Sequence, residues 1–356
     1  MNKKVHNFSA GPSILPDKVF EQASSAIKDF NNSGLSILEI SHRSKDFIEV
    51  LEEARFTALD LAELNKDEYT CLYLQGGASL QFLMTAYNFL NNNAAYINTG
   101  SWSTKAIKEA KMFGVVTEIA SSADKNFNYI PKDLSLNESY DYLHLTSNNT
   151  IFGTQFHSFP DVNYPLFADM SSDIFSRKIN FSKFDLIYAG AQKNLGPAGV
   201  TMVLIRKSLL KNISRQVPSM LSYKIHADKD SSFNTPPVFP IYCVLLNLRM
   251  IKNDGLDNIA SNNDIKSKLI YEEIDNNKCF SGFSHVDDRS QMNATFNLND
   301  GFNGELFNEI CKENNISGIN GHRSVGGYRA SIYNALPIDS VKLLIKCMKE
   351  FESNYN

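Results

Sequence analysis

The sequence predicts an α/β fold built on a mostly parallel sheet. Short apolar runs recur up to about residue 205, and most of them end at Gly, Asn, Asp or Ser. Several are followed by amphipathic stretches, such as residues 103–113. Apolar strands that alternate with helices are typical of a parallel sheet covered by helices on both faces. The runs are Leu72–Leu74, Ala94–Ile97, Tyr142–Leu145, Leu166–Ala168, Leu186–Tyr188 and Met202–Ile205.

Helical periodicity comes before and after these runs. It alternates with short loops from Lys18 to about Leu64. After Gly255 the pattern changes to a long polar helix at 257–274, alternating strands such as 294–298, and a closing amphipathic helix at 338–351. We therefore expect two domains. The large domain comprises residues 16–256, and a smaller α+β domain comprises residues 257–356 together with the N-terminal segment 1–15.

Composition excludes several classes of function. The net charge is −4 and the pI is about 6.0, so no basic face for nucleic acid or for a membrane surface is expected. The five cysteines form no CxxC pair and the seven histidines have no metal-ligand spacing, so neither a disulfide framework nor a metal site is indicated. No apolar stretch is long enough to cross a bilayer. We expect a cytoplasmic protein without a resident metal.

The segment 185–199 gives the strongest indication of chemistry. An apolar run through Tyr188 predicts a buried strand, and Lys193 follows between Gly190 and the sequence Gly196-Pro197-Ala198-Gly199. Glycines at this density allow the backbone to lie close to a ligand. A lysine held there by a strand is well placed for Schiff-base chemistry with a carbonyl cofactor. A lysine in such a loop is more often simply solvated, so the interpretation depends on the rest of the chain.

Two further features follow predicted strands. The turn Gln75-Gly76-Gly77-Ala78-Ser79 opens a predicted helix at 80–90, where free backbone N–H groups would bind an anion. Asp169 ends a strand one strand–helix–strand unit before Lys193, and a carboxylate there could face the ring nitrogen of a pyridine cofactor. A Gly-Gly turn is common and such an Asp is often a helix N-cap. Their conjunction at the carboxyl edge of the sheet favours a ligand site.

Other polar and aromatic residues could complete such a site. Trp102 is the only tryptophan and lies in a Gly/Ser loop, where it could stack on a planar cofactor, although a lone tryptophan is usually a core residue. Thr150 could donate its hydroxyl to a ring substituent. Taken alone, Asn234-Thr235 is only a polar turn.

Arginines indicate an anionic substrate. Two His-Arg pairs occur, His42-Arg43 and His322-Arg323, and Arg329 follows a Gly-Gly bend. The guanidinium group binds carboxylate or phosphate through two parallel hydrogen bonds. Any one of these arginines is more often an exposed salt-bridge partner. Together they would suit a substrate that carries both anionic groups.

At this point the chain resembles the phosphoserine aminotransferases, a family within class V of the fold-type I pyridoxal-phosphate enzymes. The matches cover essentially the whole length. The turn after the first strand is similar to one family variant, while other members carry Arg in place of Ser79, which leaves the role of the Ser79 side chain open. The matching segments are residues 7–12, 39–43, 188–194, 233–237, 321–323 and 326–335.

The resemblance implies a fold and a cofactor. The large domain would bind pyridoxal 5′-phosphate on a mostly parallel seven-stranded sheet. Lys193 would form the Schiff base, Asp169 would pair with the ring nitrogen, Trp102 would stack on the ring and Thr150 would bond the ring hydroxyl. The cofactor phosphate would be held by Ala78, Ser79 and Gln192, with Asn234 and Thr235 of the partner subunit. This implies a homodimer with shared active sites.

The resemblance also implies a substrate class. Arg329 would bind the α-carboxylate. The substrate phosphate would be recognised by His322 and Arg323, with His42 and Arg43 of the partner subunit. The implied reaction is the reversible transamination of 3-phosphohydroxypyruvate with L-glutamate, giving O-phospho-L-serine and 2-oxoglutarate, in serine biosynthesis. A second substrate, 4-phosphohydroxy-L-threonine of vitamin B6 biosynthesis, stays open.

Two other functions compete with this one. A lyase of the cysteine desulfurase type shares the fold, but it needs a nucleophilic cysteine in a mobile polar loop, and none of the five cysteines has that setting. A non-catalytic binding protein could keep the pocket. The joint presence of Lys193, Asp169 and Arg329 argues against it.

Overall fold

The fold was obtained as a computed structural model, which describes residues 4–135 and 139–355. Residues 1–3 and 356 of the expected small domain lie outside the described residues. Within the described ranges, no helix is long and apolar enough to cross a membrane. The helices are α1 (Asp17–Lys28), α2 (Lys45–Leu61), α3 (Gly77–Phe89), α4 (Ser101–Ala110), α5 (Lys207–Leu210), α6 (Tyr223–Asp228), α7 (Val238–Asp254), α8 (Leu256–Asn276), α9 (Gly304–Glu313) and α10 (Ile338–Ser353).

The strands alternate with these helices in the first part of the chain and cluster in the last part. In chain order they are β1 (His6–Asn7), β2 (Tyr69–Leu74), β3 (Asn93–Asn98), β4 (Val115–Ser121), β5 (Leu143–Thr146), β6 (Asn148–Asn149), β7 (Thr154–Gln155), β8 (Leu166–Asp169), β9 (Leu186–Gly190), β10 (Thr201–Arg206), β11 (Phe280–Gly282), β12 (Asn293–Leu298), β13 (Ile316–Ser317) and β14 (Tyr328–Ser331).

The largest sheet has seven strands in the order β2-β10-β9-β8-β5-β3-β4. β10 is antiparallel to both of its neighbours, and all the other pairs are parallel. The predicted α/β class with a mostly parallel seven-stranded sheet is therefore confirmed. Each of the six apolar runs coincides with one of these strands, except that Tyr142 lies directly before β5. β4 has no such run because Ile119 is its only buried residue, and Val115 is exposed.

Both faces of this sheet are covered by helices. Cys71, Ala95 and Leu143 belong to one buried apolar cluster, which α2 and α7 also enter. Leu72, Tyr96 and other side chains of the opposite face belong to a second cluster with α3 and α4. Because both faces are covered, the strands other than β4 are buried along nearly their whole length and are mostly apolar.

The last hundred residues form a separate antiparallel sheet, β11-β12-β14, with α8, α9 and α10 packed beside it. This sheet has its own buried cluster, which includes Phe296 and Phe351. The N-terminal segment packs with this part of the chain, because β1 pairs in parallel with β13 in a separate two-stranded sheet and Phe8 is buried in the same cluster. The division into domains at residues 256 and 257 stays a prediction, which these separate clusters support.

A buried lysine ties α8 to the segment that follows β14. The Nζ of Lys266 donates hydrogen bonds to the carbonyl oxygens of Ile332 at 2.9 Å and Tyr333 at 2.6 Å. The side chain is almost wholly buried, and this burial lowers the pKa of Lys266 to about 7. Within the part of the chain that the structure describes, no carboxylate pairs with it.

The lowered pKa of Lys266 predicts a pH-dependent stability. An unfolded lysine has a pKa of about 10.4, so between about pH 7 and pH 10 unfolding takes up a proton. The free energy of unfolding should therefore rise with pH in this window, by up to about 1.4 kcal/mol per pH unit from this one group. Lys266→Met should flatten the rise, measured by urea unfolding at about pH 7 and about pH 9.5.

Lys268→Met is the matched control, because Lys268 lies on the same helix with an exposed side chain. That variant should keep the pH dependence of the native protein. Equal slopes for the Lys266→Met variant and the native protein would contradict the assignment.

Candidate active site

A cavity of about 330 Å³ lies at the carboxyl ends of the parallel strands. β2, β3, β5, β8 and β9 all end toward it, and the loops that follow them supply most of its wall. The segment around His322 and Arg329 closes it from the small sheet. The lining residues are Ala10, Gly11, Gly77, Ala78, Ser79, Phe82, Trp102, Thr150, Asp169, Ser171, Gln192, Lys193, His322 and Arg329.

Asp169 is the last residue of β8 and is buried. Its Oδ1 accepts hydrogen bonds from the backbone N–H of Ser171 at 2.9 Å and from the Ser171 hydroxyl at 2.6 Å. Burial raises the pKa of Asp169, while the charge of Lys193 and the bonds from Ser171 act in the opposite direction. Among the described residues no group donates to Oδ2, so this oxygen can accept a hydrogen bond from a cationic ligand.

Lys193 lies in the loop between β9 and β10, and it is not the solvated residue that such a loop usually carries. Burial lowers the pKa of Lys193, and the charge of Asp169 opposes this effect. The N-terminal segment fixes the loop, because Ser13 donates from its N–H to the Gln192 carbonyl at 2.9 Å and from its hydroxyl to the Lys193 carbonyl. An amine with a lowered pKa on a fixed backbone is suited to act as a nucleophile and base.

The start of α3 offers free backbone donors to the cavity. Gly76 adopts the left-handed conformation, with φ of 91°, and no side chain of the described residues caps the helix. The first hydrogen bond of the helix runs from the Leu80 N–H to the Gly76 carbonyl. The N–H groups of the three preceding residues, Gly77, Ala78 and Ser79, are thus available to an anion such as a phosphate.

Thr150 connects an aromatic and a cationic residue of the site. Its hydroxyl oxygen accepts a hydrogen bond from Trp102 Nε1 at 3.1 Å, and its carbonyl accepts one from Arg329 Nη1 at 2.9 Å. The hydroxyl hydrogen of Thr150 is therefore free to donate to a ligand. Arg329 Nε is buried without a partner among the described residues, which leaves donor capacity for a carboxylate.

Five of the predicted residues lie outside this cavity. Arg43 is exposed and His42 partly so, in the loop that precedes α2. Asn234 lines a separate small cleft, and the Thr235 carbonyl accepts from Gln75 Nε2 at 3.1 Å. Arg323 is exposed in the turn next to His322.

The sequence interpretation assigned no role to Ser171, Phe82, Ala10 or Gly11, all of which line the cavity. Ser171 could have been found from its position two residues after Asp169, a spacing at which a hydroxyl can bond the carboxylate. Gly11 packs against the loop between β9 and β10, and a Cβ on Gly11 would lie 3.4 Å from Lys193 Cγ. That approach joins residues far apart in sequence, and no local pattern indicates it.

The donor set fits a planar cofactor that carries a carbonyl group and a phosphate. Lys193 offers an amine, Asp169 offers an unpaired carboxylate oxygen, and the start of α3 offers an anion cradle. Arg329 and His322 also line this cavity and could bind the carboxylate and side chain of a substrate.

Comparison with known proteins gives consistent matches along the chain. Residues 5–344 match the family model described as Aminotransferase class-V. A phosphoserine aminotransferase of Flavobacterium psychrophilum is 56% identical, covering 98% of this chain and 99% of the relative. A solved phosphoserine aminotransferase, studied for radiation damage of its Schiff base, aligns with a TM-score of 0.95 and 48% identity over 99% of both chains. The pyridoxal-phosphate-bound enzyme of Trichomonas vaginalis aligns with a TM-score of 0.92 and 36% identity, covering 97% of this chain and 100% of that one.

The anion cradle predicts a specific effect of Gly76→Ala. A Cβ at Gly76 would lie 2.5 Å from Leu80 Cδ2, and the φ of +91° is already unfavourable for alanine. The start of α3 must shift, so the affinity for pyridoxal 5′-phosphate should fall by about tenfold or more, equivalent to about 1.4 kcal/mol. The affinity for pyridoxal, which lacks the phosphate, should change little. Equilibrium titrations of both compounds measure the difference.

Gly301→Ala is the matched control. Gly301 has a φ of +89° and a Cβ there would meet nothing within 4 Å. The control should lose roughly 1–2 kcal/mol of stability through backbone strain alone and keep both affinities. An unchanged preference for the phosphorylated compound in the Gly76→Ala variant would refute the cradle.

Proposed function

This chain belongs to the class V aminotransferase family, and we propose that it transfers an amino group between L-glutamate and 3-phosphohydroxypyruvate with pyridoxal 5′-phosphate as its cofactor. The products are O-phospho-L-serine and 2-oxoglutarate, a step of serine biosynthesis. The observation that carries the proposal is one cavity in which Lys193, Asp169 and the start of α3 face Arg329 and His322. The identity of 56% to a phosphoserine aminotransferase over nearly the full chain supports the substrate.

The residues of the cavity suit the cofactor group by group. When bound, pyridoxal 5′-phosphate supplies an aldehyde that takes up the substrate amino group and a ring that accepts the electron pair left at the substrate Cα. Asp169 would hold the proton on the ring nitrogen through its open oxygen, and Thr150 would donate to the ring hydroxyl. The phosphate would be held by the N–H groups of Ala78 and Ser79 together with Gln192.

Lys193 would carry the proton between substrate and cofactor. With the cofactor bound, the Lys193 amine would remove the proton from the substrate Cα and return it to the carbon of the cofactor that carries the aldehyde. Its pKa, lowered by burial, favours the neutral amine that such a base requires. The indole of Trp102 lies on the same side of the cavity, with its ring centroid 5.5 Å from Lys193 Nζ.

Cationic residues would orient the two substrates in the same way. Arg329 would bind the α-carboxylate through the donors that its bond to Thr150 leaves free. His322 and Arg323 would bind the far end of the substrate, with His42 and Arg43 of the partner subunit. Glutamate carries a carboxylate where phosphoserine carries a phosphate, so one cationic pocket can serve both half-reactions.

We further propose a homodimer with shared sites. Two segments with large exposed apolar side chains also carry four of the five predicted residues that lie outside the cavity of their own protomer. Leu38 is 62% exposed, a few residues before His42 and Arg43. Phe233 is 40% exposed and directly precedes Asn234 and Thr235. Apolar surface next to polar residues that lack a local role is expected at a subunit interface.

The cysteines disfavour the alternative lyase function and support a cytoplasmic location. A desulfurase needs a thiolate within reach of the substrate. All five cysteines are buried and unpaired, and burial raises the pKa of each of them, to about 12 for Cys71 and Cys311. Unpaired cysteines are typical of a reducing compartment, so we propose a cytoplasmic enzyme.

Replacement of Lys193 tests the mechanism. Lys193→Ala should lower turnover of O-phosphoserine with 2-oxoglutarate by at least about a thousandfold, because the base and covalent partner are both lost. In the native protein, O-phosphoserine should shift the visible absorbance of the bound cofactor, whereas L-cysteine should have no effect. A response to L-cysteine alone would favour the lyase. Substantial activity of the Lys193→Ala variant would contradict the proposed mechanism.

Mixing two inactive variants tests the shared sites. Lys193→Ala and Arg43→Ala would each be impaired alone, but a hybrid dimer has one site with Lys193 and with Arg43 of the partner subunit intact. After unfolding and refolding together in equal amounts, about a quarter of native activity should return, because half of randomly paired dimers are hybrids with one intact site.

Arg323→Ala provides the control for this mixing experiment. Arg323 adjoins His322, which lines the cavity of its own protomer. Arg323 and Lys193 of one protomer would serve the same site. A hybrid dimer of the Arg323→Ala and Lys193→Ala variants therefore has one substitution in each site and no intact site, so activity should not recover. Equal recovery in the two mixtures, or recovery in neither, would contradict the assignment of Arg43 to the partner's site.

A further inference from the structure

Lys105 stands at the rim of the cavity, on the first turns of α4. Its Nζ lies 4.4 Å from the ring centroid of Trp102, within the range of a cation–π interaction. Trp102 lines the cavity, and the Trp102 indole is held in place by its hydrogen bond to Thr150. The amino group of Lys105 is therefore kept beside the cavity by a residue that is itself fixed.

The charge of Lys105 is not neutralised nearby. Glu109 lies one turn further along the same helix, where lysine and glutamate often pair. Within residues 4–135 and 139–355, however, Lys105 forms no ion pair, whereas Lys111 of the same region pairs with Glu118 at 3.6 Å. The Lys105 side chain is directed instead toward Trp102.

Lys105 also acts on the opposite wall of the cavity. Burial lowers the pKa of His322, and the charges of Arg329, Arg323 and Lys105 lower it further. His322 belongs to the segment that precedes β14 of the three-stranded sheet, whereas Lys105 belongs to α4, which covers the seven-stranded sheet. The charge of Lys105 thus influences a residue from the other part of the chain. The positive field at the mouth of the cavity thus includes a lysine from α4 in addition to the arginines identified from the sequence.

We propose that Lys105 is a substrate-binding residue that favours the phosphorylated substrate over glutamate. This inference rests on the proposed transaminase function. The phosphate of O-phosphoserine carries nearly two negative charges at pH 8, and the glutamate side chain carries one. The Coulomb energy is proportional to the product of the charges. The factor by which the loss of Lys105 weakens binding of the dianion should therefore be about the square of the factor for the monoanion.

The variant Lys105→Gln, in the cofactor-loaded enzyme, tests the proposal. KM for O-phosphoserine should rise about ninefold and KM for glutamate about threefold, while kcat stays within about twofold. Calorimetric titration of the same protein with inorganic phosphate should show a dissociation constant raised about ninefold. Both effects should shrink at about 0.5 M salt, because an exposed charge is screened. Lys105→Arg should restore the native values.

Lys108→Gln is the matched control, since Lys108 is an exposed lysine on the same helix, one turn further from the cavity. It should leave all of these constants unchanged. Equal constants for the Lys105→Gln and Lys108→Gln variants would overturn the proposal. A fall in kcat with an unchanged phosphate affinity would also overturn it, because Lys105 would then only orient Trp102. The phosphate titration tests the role of Lys105 without any turnover. Failure of the proposed function would appear separately, because the native enzyme would then be inactive toward O-phosphoserine.

Discussion

The site depends on two opposite charges held away from water at the ends of neighbouring strands. Burial shifts the pKa of Asp169 upward and that of Lys193 downward, so each residue is drawn toward its neutral form. Each also counters the shift of the other through its charge. This balance requires that β8 and β9 run in parallel and end at the same edge, which places both residues beside one cavity. A ligand with a cationic ring nitrogen and an aldehyde could pair with the Asp169 carboxylate and react with the Lys193 amine at the same time.

The rest of the structure keeps this pair in position. Ser171 occupies one oxygen of Asp169, and its own hydroxyl accepts from the Gly190 N–H at 3.1 Å, so the ends of β8 and β9 are linked. The N-terminal segment fixes the Lys193 loop through Ser13 and is anchored among the last hundred residues, where β1 pairs with β13. Arg329 bonds back to Thr150 from β14 of the three-stranded sheet. The substrate-facing wall is thus attached to the cofactor-facing wall by a few directed hydrogen bonds rather than by a continuous apolar core.

Much of this architecture could be predicted from the sequence, because the residues at issue follow strands directly. Apolar runs indicated six strands of the sheet; Asp169 ends one of them, and Lys193 lies in the loop that follows another. β4 was not predicted because it is largely exposed, with Ile119 as its only buried residue. Ser171 and Gly11 were missed for a different reason: their roles arise from contacts in three dimensions. The resemblance, and not residue spacing, assigned Arg43 and Asn234 to the partner's site, since no pattern within one chain can indicate a contact between two chains.

The surroundings of Trp102 show why an aromatic residue, and not a carboxylate, suits the mouth of this cavity. Lys193 and Lys105 both lie near its ring, at 5.5 Å and 4.4 Å from the centroid. A carboxylate in that position would pair with either amine and cancel the charge that an anionic ligand needs. The indole attracts the Lys105 cation through its quadrupole and adds no net charge. It therefore holds Lys105 as a cation at the rim, and it leaves the amine of Lys193 free to act as the proposed base.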